Sequence, residues 1–318
     1  MSNATICRLI LLTPLTLLVG CTAQPDEPVF GLQAMSFANS EWSAPVNLGS
    51  TINTTFNEQG PNLSKDGLSL YFGSDRPGGV GSFDLWVARR ACPDCPWEAP
   101  ENLGPVVNTA ASETGPGQSI DGHLLFFTST RAGGQGLSDL YLSRRADPKD
   151  DFGWGPPAGL GADVNTAASE AGAEYLQSAE DGTGNLYFNR APPGGTADLY
   201  DAPLTRDGET RGPAILIPEL SDPIATDQGA TVRTDGREIF FFSTRPGGLG
   251  GADLWTSTRR SVHDSWSTPA NVGALNSTMA EQQPSLSGDG RTLVFASSRA
   301  GGFGGTDIWM STRTSSGH

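Results

Sequence analysis

The stretch SKDGLSLYFGSDRPGGVGSFDLW, residues 64–86, contains the features that decide the fold of this chain. Asp66-Gly67 lies between two short apolar runs, which is the strongest local signal for a β-hairpin. The run from Leu68 to Phe72 has the composition and length of one strand. A glycine-rich loop follows it, and Leu85-Trp86 begins a further strand. The stretch therefore predicts consecutive β-strands joined by tight turns.

The same pattern occurs five times along the chain. In each copy an arginine is followed eight positions later by an aspartate, and successive arginines are 55, 59, 55 and 54 residues apart. A period near 55 residues exceeds the helical solenoid units and is close to one blade of a β-propeller. The five pairs are Arg76/Asp84, Arg131/Asp139, Arg190/Asp198, Arg245/Asp253 and Arg299/Asp307.

The repeated motif S-x-D-G-x-x-L-x-F-x-S-x-R-P-G-G, with a trailing D-L-W, resembles the TolB-like β-propeller repeat, a WD40-like unit of bacterial envelope proteins. The resemblance extends over roughly residues 42 to 314. It implies four antiparallel strands per blade around a central channel, and it implies no single activity.

The number of blades follows from counting the parts of the repeat. Each of the first four three-strand cores is followed by its own W-x-x-P segment or a degenerate equivalent, whereas the fifth is not. The unpaired segment from Trp42 to Gly49 is therefore expected to supply the outermost strand of the last blade, which leaves no long exposed edge. We predict an all-β, five-bladed propeller of four-stranded antiparallel blades, closed by this N-terminal strand and monomeric. The alternative is a ring that another chain completes.

The N-terminus predicts the cellular location. Residues 1–20 have the features of a signal peptide, 21–40 those of a flexible tether, and 41–318 form the propeller. The sequence Leu18-Val19-Gly20-Cys21 resembles a bacterial lipobox, which implies a lipid on Cys21, and Thr22 by the same resemblance implies the outer membrane. The alternative is an ordinary secretory signal that contains a cysteine.

The cysteines indicate the redox compartment, and the net charge limits the classes of molecule that the protein can bind. In an oxidising envelope, Cys92 and Cys95 are expected to form a local disulfide; a redox pair or half of a zinc site are the alternatives. The formal net charge is −15, and the sequence has no basic stripe of the kind that nucleic acid requires. We therefore expect an envelope protein or glycan as partner and no nucleic acid.

The arginine and aspartate of each repeat can form a bidentate pair that fixes the loop between the second and third strands. A functional alternative is an anion site on each blade, built from the arginine and the glycine amides. Because a residue needed in every blade usually stabilises the blade, the structural role is favoured.

A carboxylate opens the first strand of every copy. Five such groups around a channel can form an acidic ring that attracts a cation such as calcium. The favoured alternative is that each carboxylate caps backbone amides of the neighbouring blade, together with the Asn or Asp five positions before it. The five carboxylates are Glu58, Glu113, Glu170, Asp227 and Glu281.

Departures from the repeat indicate where a unique site is to be sought. Glu174 stands where other copies have Asn, Gly, Thr or Ser, Tyr175 follows it, and Arg233 replaces a serine. These three residues are expected on adjacent inner strands, where they can converge on a polar ligand at the channel. Sequence drift in a tolerant repeat would produce the same pattern.

Two function classes remain. The leading expectation is a non-catalytic envelope lipoprotein whose propeller binds a protein or glycan partner, without metal or cofactor. The alternative is a carbohydrate-active enzyme, a hydrolase or lyase that uses channel carboxylates. A glycosidase needs two carboxyl groups roughly 5 to 10 Å apart, one with a raised pKa. Because Glu174 is the only non-repeated acid that we place at the channel, the sequence favours the non-catalytic class.

Overall fold

The computed structural model describes residues 41–178 and 183–314. The predicted signal peptide, the tether and Cys21 lie outside the described residues. Every named element in the described part is a β-strand, and no helix there is long and apolar enough to cross a membrane.

The strands form five four-stranded antiparallel sheets, one for each repeat. The chain enters the fold with β1 (Val46–Asn47). Blade 1 contains β2 (Glu58–Leu63), β3 (Ser69–Ser74), β4 (Asp84–Arg89) and β5 (Glu101–Asn102). Blade 2 contains β6 (Glu113–Gln118), β7 (Leu124–Ser129), β8 (Asp139–Arg144) and β9 (Ala158–Gly159). Blade 3 contains β10 (Ser169–Gln177), β11 (Gly184–Ala191), β12 (Asp198–Leu204) and β13 (Ile215–Leu216). Blade 4 contains β14 (Asp227–Val232), β15 (Glu238–Ser243), β16 (Asp253–Thr258) and β17 (Ala270–Asn271). Blade 5 contains β18 (Glu281–Leu286), β19 (Thr292–Ser297) and β20 (Asp307–Thr312), with β1 as its fourth strand.

The ring is closed by the N-terminal strand. Val46 and Asn47 pair with Met310 and Trp309 of β20, and Trp42 extends the pairing through a bridge to Arg313. This confirms the predicted five-bladed propeller and its closure.

The hydrophobic core is divided into five layers, each between two neighbouring blades. Between blades 1 and 2, for example, Tyr71 packs with Phe127 and Trp154. The central strands are apolar on both faces because each blade is covered by a blade on either side. Packing of neighbouring blades therefore stabilises the fold.

The innermost strands come together closely enough to nearly close the channel. Each first strand has a bulge whose residue has a positive φ: Gly60, Gly115, Gly172 and Gly229 in blades 1 to 4, and Gln283 in blade 5. A Cβ at Gly60 would lie 3.0 Å from the Cα of Gly115, so the backbone approach itself excludes a side chain there. The cavity inside this ring has a volume of about 30 Å³, room for about one or two water molecules.

Candidate functional site

The repeated first-strand carboxylates are each held by their own loop and their own arginine. Glu58 is fully buried; its Oε2 accepts from the Thr54 amide at 2.9 Å, and its Oε1 lies 3.0 Å from Nη2 of Arg76. A loop amide and an arginine hold the others in the same way: Glu113, Glu170, Asp227 and Glu281. Among the described residues no group of three or more His, Cys, Asp or Glu is arranged to hold a metal ion. The five carboxylates therefore do not present a common cation site.

The contact to the neighbouring blade is made by the asparagine five positions earlier. Asn53 donates to the carbonyl of Ile308 and accepts from its amide, at 2.9 and 2.8 Å. Asn108, Asn165 and Asn276 repeat this contact. The asparagine, rather than the carboxylate, joins consecutive blades.

The arginine and aspartate of each repeat do not pair with each other as expected. Arg76 lies over the ring of Phe72 and binds Glu58, whereas Asp84 accepts from the amides of Val80 and Gly81 in the glycine-rich loop. Both carboxylates are buried, but Asp84 accepts from two amides of its own loop, and the guanidinium lies beside Glu58 and neutralises it. The equivalent arginines Arg131, Arg190, Arg245 and Arg299 also pair with the first-strand carboxylate. Loop amides likewise bind Asp139, Asp253 and Asp307.

Blade 3 departs from this arrangement. Asp198 follows a loop that begins with two prolines, and the pKa of its carboxyl is raised by burial and by the charge of Asp227. The repeat is least regular in this blade, as the sequence indicates.

Glu174, Tyr175 and Arg233 are not brought together. Glu174 lines the channel and binds Lys65 at 3.2 Å. Tyr175 is the next residue on β10 and therefore points to the opposite face, where its hydroxyl donates to the carbonyl of Thr205. Arg233 lies on the β14–β15 hairpin and binds Asp235 and Glu238.

Cys92 and Cys95 form a disulfide in the loop between β4 and β5. It lies in blade 1, whereas the two cavities described next lie between blades 3 and 4.

Two adjoining cavities lie between blades 3 and 4, and Arg259 and His263 line both. One, the acidic cavity, has a volume of about 240 Å³, and its lining includes the acidic residues Asp201, Glu219 and Asp264. The other, the basic cavity, has a volume of about 610 Å³ and is lined by Arg211 together with Arg259 and His263. The basic cavity falls within the roughly 300 to 1,000 Å³ that is typical of small-ligand sites, and the acidic cavity is smaller.

Asp201 is the unusual residue of the acidic cavity. It lies in the middle of β12, at a position where the third strands of the other blades have Val87, Leu142, Thr256 and Met310. Burial raises the pKa of the Asp201 carboxyl, and the positive charge of Arg259 opposes this rise. A carboxyl group whose pKa is raised keeps its proton to a higher pH than an ordinary aspartate, as a proton donor in a cavity must.

The two other carboxylates of the acidic cavity differ in their contacts. Asp264 accepts a hydrogen bond from Ser261 at 2.9 Å. Glu219 is exposed, and its carboxylate makes no hydrogen bond or ion pair with any residue that the structure describes. Glu219 is thus available to a ligand.

The wall between the two cavities is held by a fixed arginine. Arg259 lies 4.1 Å above the ring of Trp266, and it donates to the Gly236 carbonyl at 2.6 Å and to the Tyr187 hydroxyl at 3.2 Å. These contacts hold the guanidinium beside Asp201 without an ion pair to it, since no Arg259 nitrogen lies within 4.0 Å of a described carboxylate oxygen.

The sequence interpretation missed this cleft because it compared only the inner strands. The available signal was Asp201 itself, the one charged residue at its position in the five third strands.

Comparison with known proteins adds information about the fold. No protein-family model matches the sequence, and no curated protein matches it. Among solved structures, the catalytic domain of a GH62 α-L-arabinofuranosidase from Coprinopsis cinerea is 11% identical with a TM-score of 0.57, covering 86% of this chain and 97% of that one. An α-L-arabinofuranosidase from Lactobacillus brevis is 13% identical with a TM-score of 0.56, covering 82% and 92%. A structure assigned to TolB from Agrobacterium tumefaciens is 20% identical and covers 83% and 79%, but its TM-score of 0.48 is too low to carry an argument.

These comparisons overturn the leading expectation of a non-catalytic scaffold that binds a protein or glycan. Several solved structures that match this chain at TM-scores above 0.5 are described as α-L-arabinofuranosidases or as GH43 and GH62 enzymes. Sequence identities of 9 to 16% show a shared fold and do not by themselves transfer an activity. The expectation weighed only the acids of the channel and left out the acidic residues Asp201, Glu219 and Asp264 between blades 3 and 4.

Proposed function

We propose that this chain is a carbohydrate-active enzyme of the glycoside hydrolase type, with its reaction site in the acidic cavity. The observation that carries the proposal is Asp201, a partly buried carboxyl group with a raised pKa in a cavity that two further carboxylates line. Hydrolysis of a glycosidic bond requires one carboxyl group that is protonated and a second that is ionised. The likeness of the fold to glycoside hydrolases supports the same class.

The chemistry assigns a role to each acid. Asp201 donates its proton to the glycosidic oxygen as the bond from that oxygen to the anomeric carbon breaks. Glu219, which has no partner among the described residues, either attacks the anomeric carbon or removes a proton from the water that does so. Water supplies the hydroxyl group of the new reducing end, and its proton restores the acid. Asp264 is the alternative second carboxylate.

The channel is a poor location for this reaction. Its cavity of about 30 Å³ is far smaller than a sugar pocket, and the carboxylate of Glu174 that lines it is paired with Lys65. The reaction site is therefore assigned to the cleft between blades 3 and 4 rather than to the channel carboxylates.

The test is hydrolysis of a panel of neutral and acidic glycans that includes 4-nitrophenyl α-L-arabinofuranoside, xylotriose and cellotriose. Asp201→Asn is expected to lower kcat by about 100-fold or more, because general acid catalysis contributes that much. Asp207→Asn is the matched control, since Asp207 is exposed in the turn after β12 and lines neither cavity. Absence of hydrolysis across the panel, or equal activity of both variants, would reject the proposal.

We also propose that the protein works in the bacterial cell envelope as a monomer, anchored by a lipid on Cys21, and that its reaction requires no protein partner. The disulfide between Cys92 and Cys95 supports an oxidising compartment. Cys21→Ser is expected to move the protein from the membrane fraction to the soluble fraction of the envelope. An unchanged membrane fraction would reject the anchor.

A further inference from the structure

The basic cavity concentrates positive charge in an acidic protein. The chain has 20 Lys and Arg against 35 Asp and Glu, yet Arg211, Arg259 and His263 line one cavity of about 610 Å³. Among the described residues that line the cavity, the acidic one is Asp235, which is already bound by Arg233 at 2.7 Å, a contact that helps to lower its pKa. The cavity is therefore a cationic site inside a protein whose overall charge repels anions.

Arg259 differs from its counterparts in the repeat. The equivalent arginines of blades 2 and 5 are neutralised by buried carboxylates, Arg145 by Asp151 at 2.8 Å and Arg313 by Glu238 at 2.6 Å. Arg259 has instead the hydroxyl of Tyr187 as its side-chain partner. The equivalent Arg90 of blade 1 also lacks an ion pair in the described part of the chain, but it lines neither cavity. Blade 4 thus supplies a fixed guanidinium that faces a cavity without a paired carboxylate.

Arg211 supplies a second unpaired guanidinium. It is exposed, and its side chain makes no hydrogen bond or ion pair within residues 41–178 and 183–314. Two arginines that line one cavity suit the carboxylate of a sugar acid, because a guanidinium is always charged and carries several N–H donors, of which only some in Arg259 are used within the protein. His263 adds a further polar group that both cavities share.

We infer that the basic cavity binds the carboxylate of a uronic-acid residue, so that the substrate is an acidic glycan. This inference rests on the proposed function and names its substrate class. Because Arg259 and His263 line both cavities, a uronic-acid residue in the basic cavity has an adjoining glycosidic bond close to Asp201.

The experiment measures binding without turnover. Calorimetry in the Asp201→Asn background uses trimers of galacturonate, mannuronate, guluronate and glucuronate, each compared with its fully methyl-esterified form. At least one free acid is expected to bind about tenfold or more tightly than its ester, and its affinity is expected to fall with added salt. Equal affinities of acid and ester, or no binding by any of the acids, would overturn the inference.

Variants of Arg211 test whether the acid binds in the basic cavity. Arg211→Ala is expected to weaken binding of the preferred acid about tenfold, and Arg211→Lys is expected to restore part of the loss because it keeps the charge. Arg206→Ala is the matched control, an exposed arginine of the same β12–β13 connection that lines neither cavity. Equal effects of Arg211→Ala and Arg206→Ala would also overturn the inference.

The inference and the proposed function fail separately. Hydrolysis of neutral glycans without preferential binding of any free acid would reject the uronic-acid site and leave the hydrolase standing. Preferential binding of a free acid without hydrolysis of any glycan would support the basic cavity and reject the hydrolase.

Discussion

Lys65 Nζ and Glu174 Oε1 lie 3.2 Å apart, and this ion pair joins the β2–β3 hairpin of blade 1 to the inner strand of blade 3. Only 12% and 5% of the two side chains are exposed. The repeat has no equivalent pair, because Ile120, Thr234 and Gly288 occupy the position of Lys65 in blades 2, 4 and 5. One asymmetric contact therefore links two blades that are not neighbours in the ring.

Removing the lysine is expected to leave a buried carboxylate without a cation. Lys65→Met should lower the free energy of unfolding by roughly 3 kcal/mol at neutral pH, and the double variant Lys65→Met/Glu174→Leu should recover much of the loss. Urea denaturation measures the free energy of unfolding of the single and of the double variant. Lys149→Met is the control, since Lys149 is the other lysine of the chain and is exposed. Equal stability of the two single lysine variants would show that the pair contributes little.

The backbone conformation of Gln283 destabilises the fold, whereas its side chain stabilises it. Its φ of 50° is unfavourable for a residue with a Cβ, but its Oε1 accepts from the Gly60 amide at 2.7 Å. Gln283→Ala keeps the strain and loses the hydrogen bond, so it should destabilise by about 1 kcal/mol. Gln283→Gly loses the bond but relieves roughly 1 to 2 kcal/mol of strain and should be near neutral. Thermal unfolding that ranks the alanine variant at or above the glycine variant would contradict this.

The N-terminal segment that closes the ring is expected to stabilise the fold by more than the pairing of the two residues of β1 alone. Trp42 packs edge-on against Phe240 at 5.8 Å, and Arg313 lies 4.6 Å above its ring. Deletion of residues 1–49 should therefore cost roughly 3 kcal/mol and expose the edge of β20. Deletion of residues 1–40 is the control and should leave the melting temperature unchanged. The closure would be unimportant if both truncated proteins melted at the same temperature.

Asp201 predicts a pH-dependent effect on stability. Because burial raises its pKa, the folded protein binds this proton more tightly than the unfolded chain, whose aspartate pKa is about 3.9. The resulting contribution to stability is complete below that value and is lost as pH rises through the folded pKa. Asp201→Asn should therefore gain stability relative to the wild type between acidic and neutral pH. Melting curves at several pH values measure the difference, and a constant difference would show that Asp201 does not titrate as stated.

The sequence contains the fold in a form that could be predicted. The repeat fixes the number of blades, and the unpaired Trp42 to Gly49 segment fixes the closure, because strand pairing within a repeat depends on local patterns. The partner of each arginine was harder to predict. Arg76 binds Glu58 rather than Asp84 because the fold brings Glu58 beside the guanidinium, whereas Asp84 accepts from the amides of its own loop.

The candidate site was the least predictable part. Asp201 is visible in the sequence as a charge among uncharged counterparts, but Glu219 and Asp264, which line the same cavity, come from other loops. Arg211 and Arg259 lie 48 positions apart and become neighbours of one cavity only when blades 3 and 4 pack. A repeat pattern in the sequence therefore does not show which charged residues of two blades will line the same cavity.

The pairing of β1 with β20 places the first and last strands of the propeller side by side in one sheet. A short linker between them would make the polypeptide circular without changing its topology, and new ends opened in the loop between any two blades would leave each four-stranded sheet with the same partners. A circularly permuted protein that begins at blade 3 would carry the two cavities near its new N-terminus, and it should fold to the same ring.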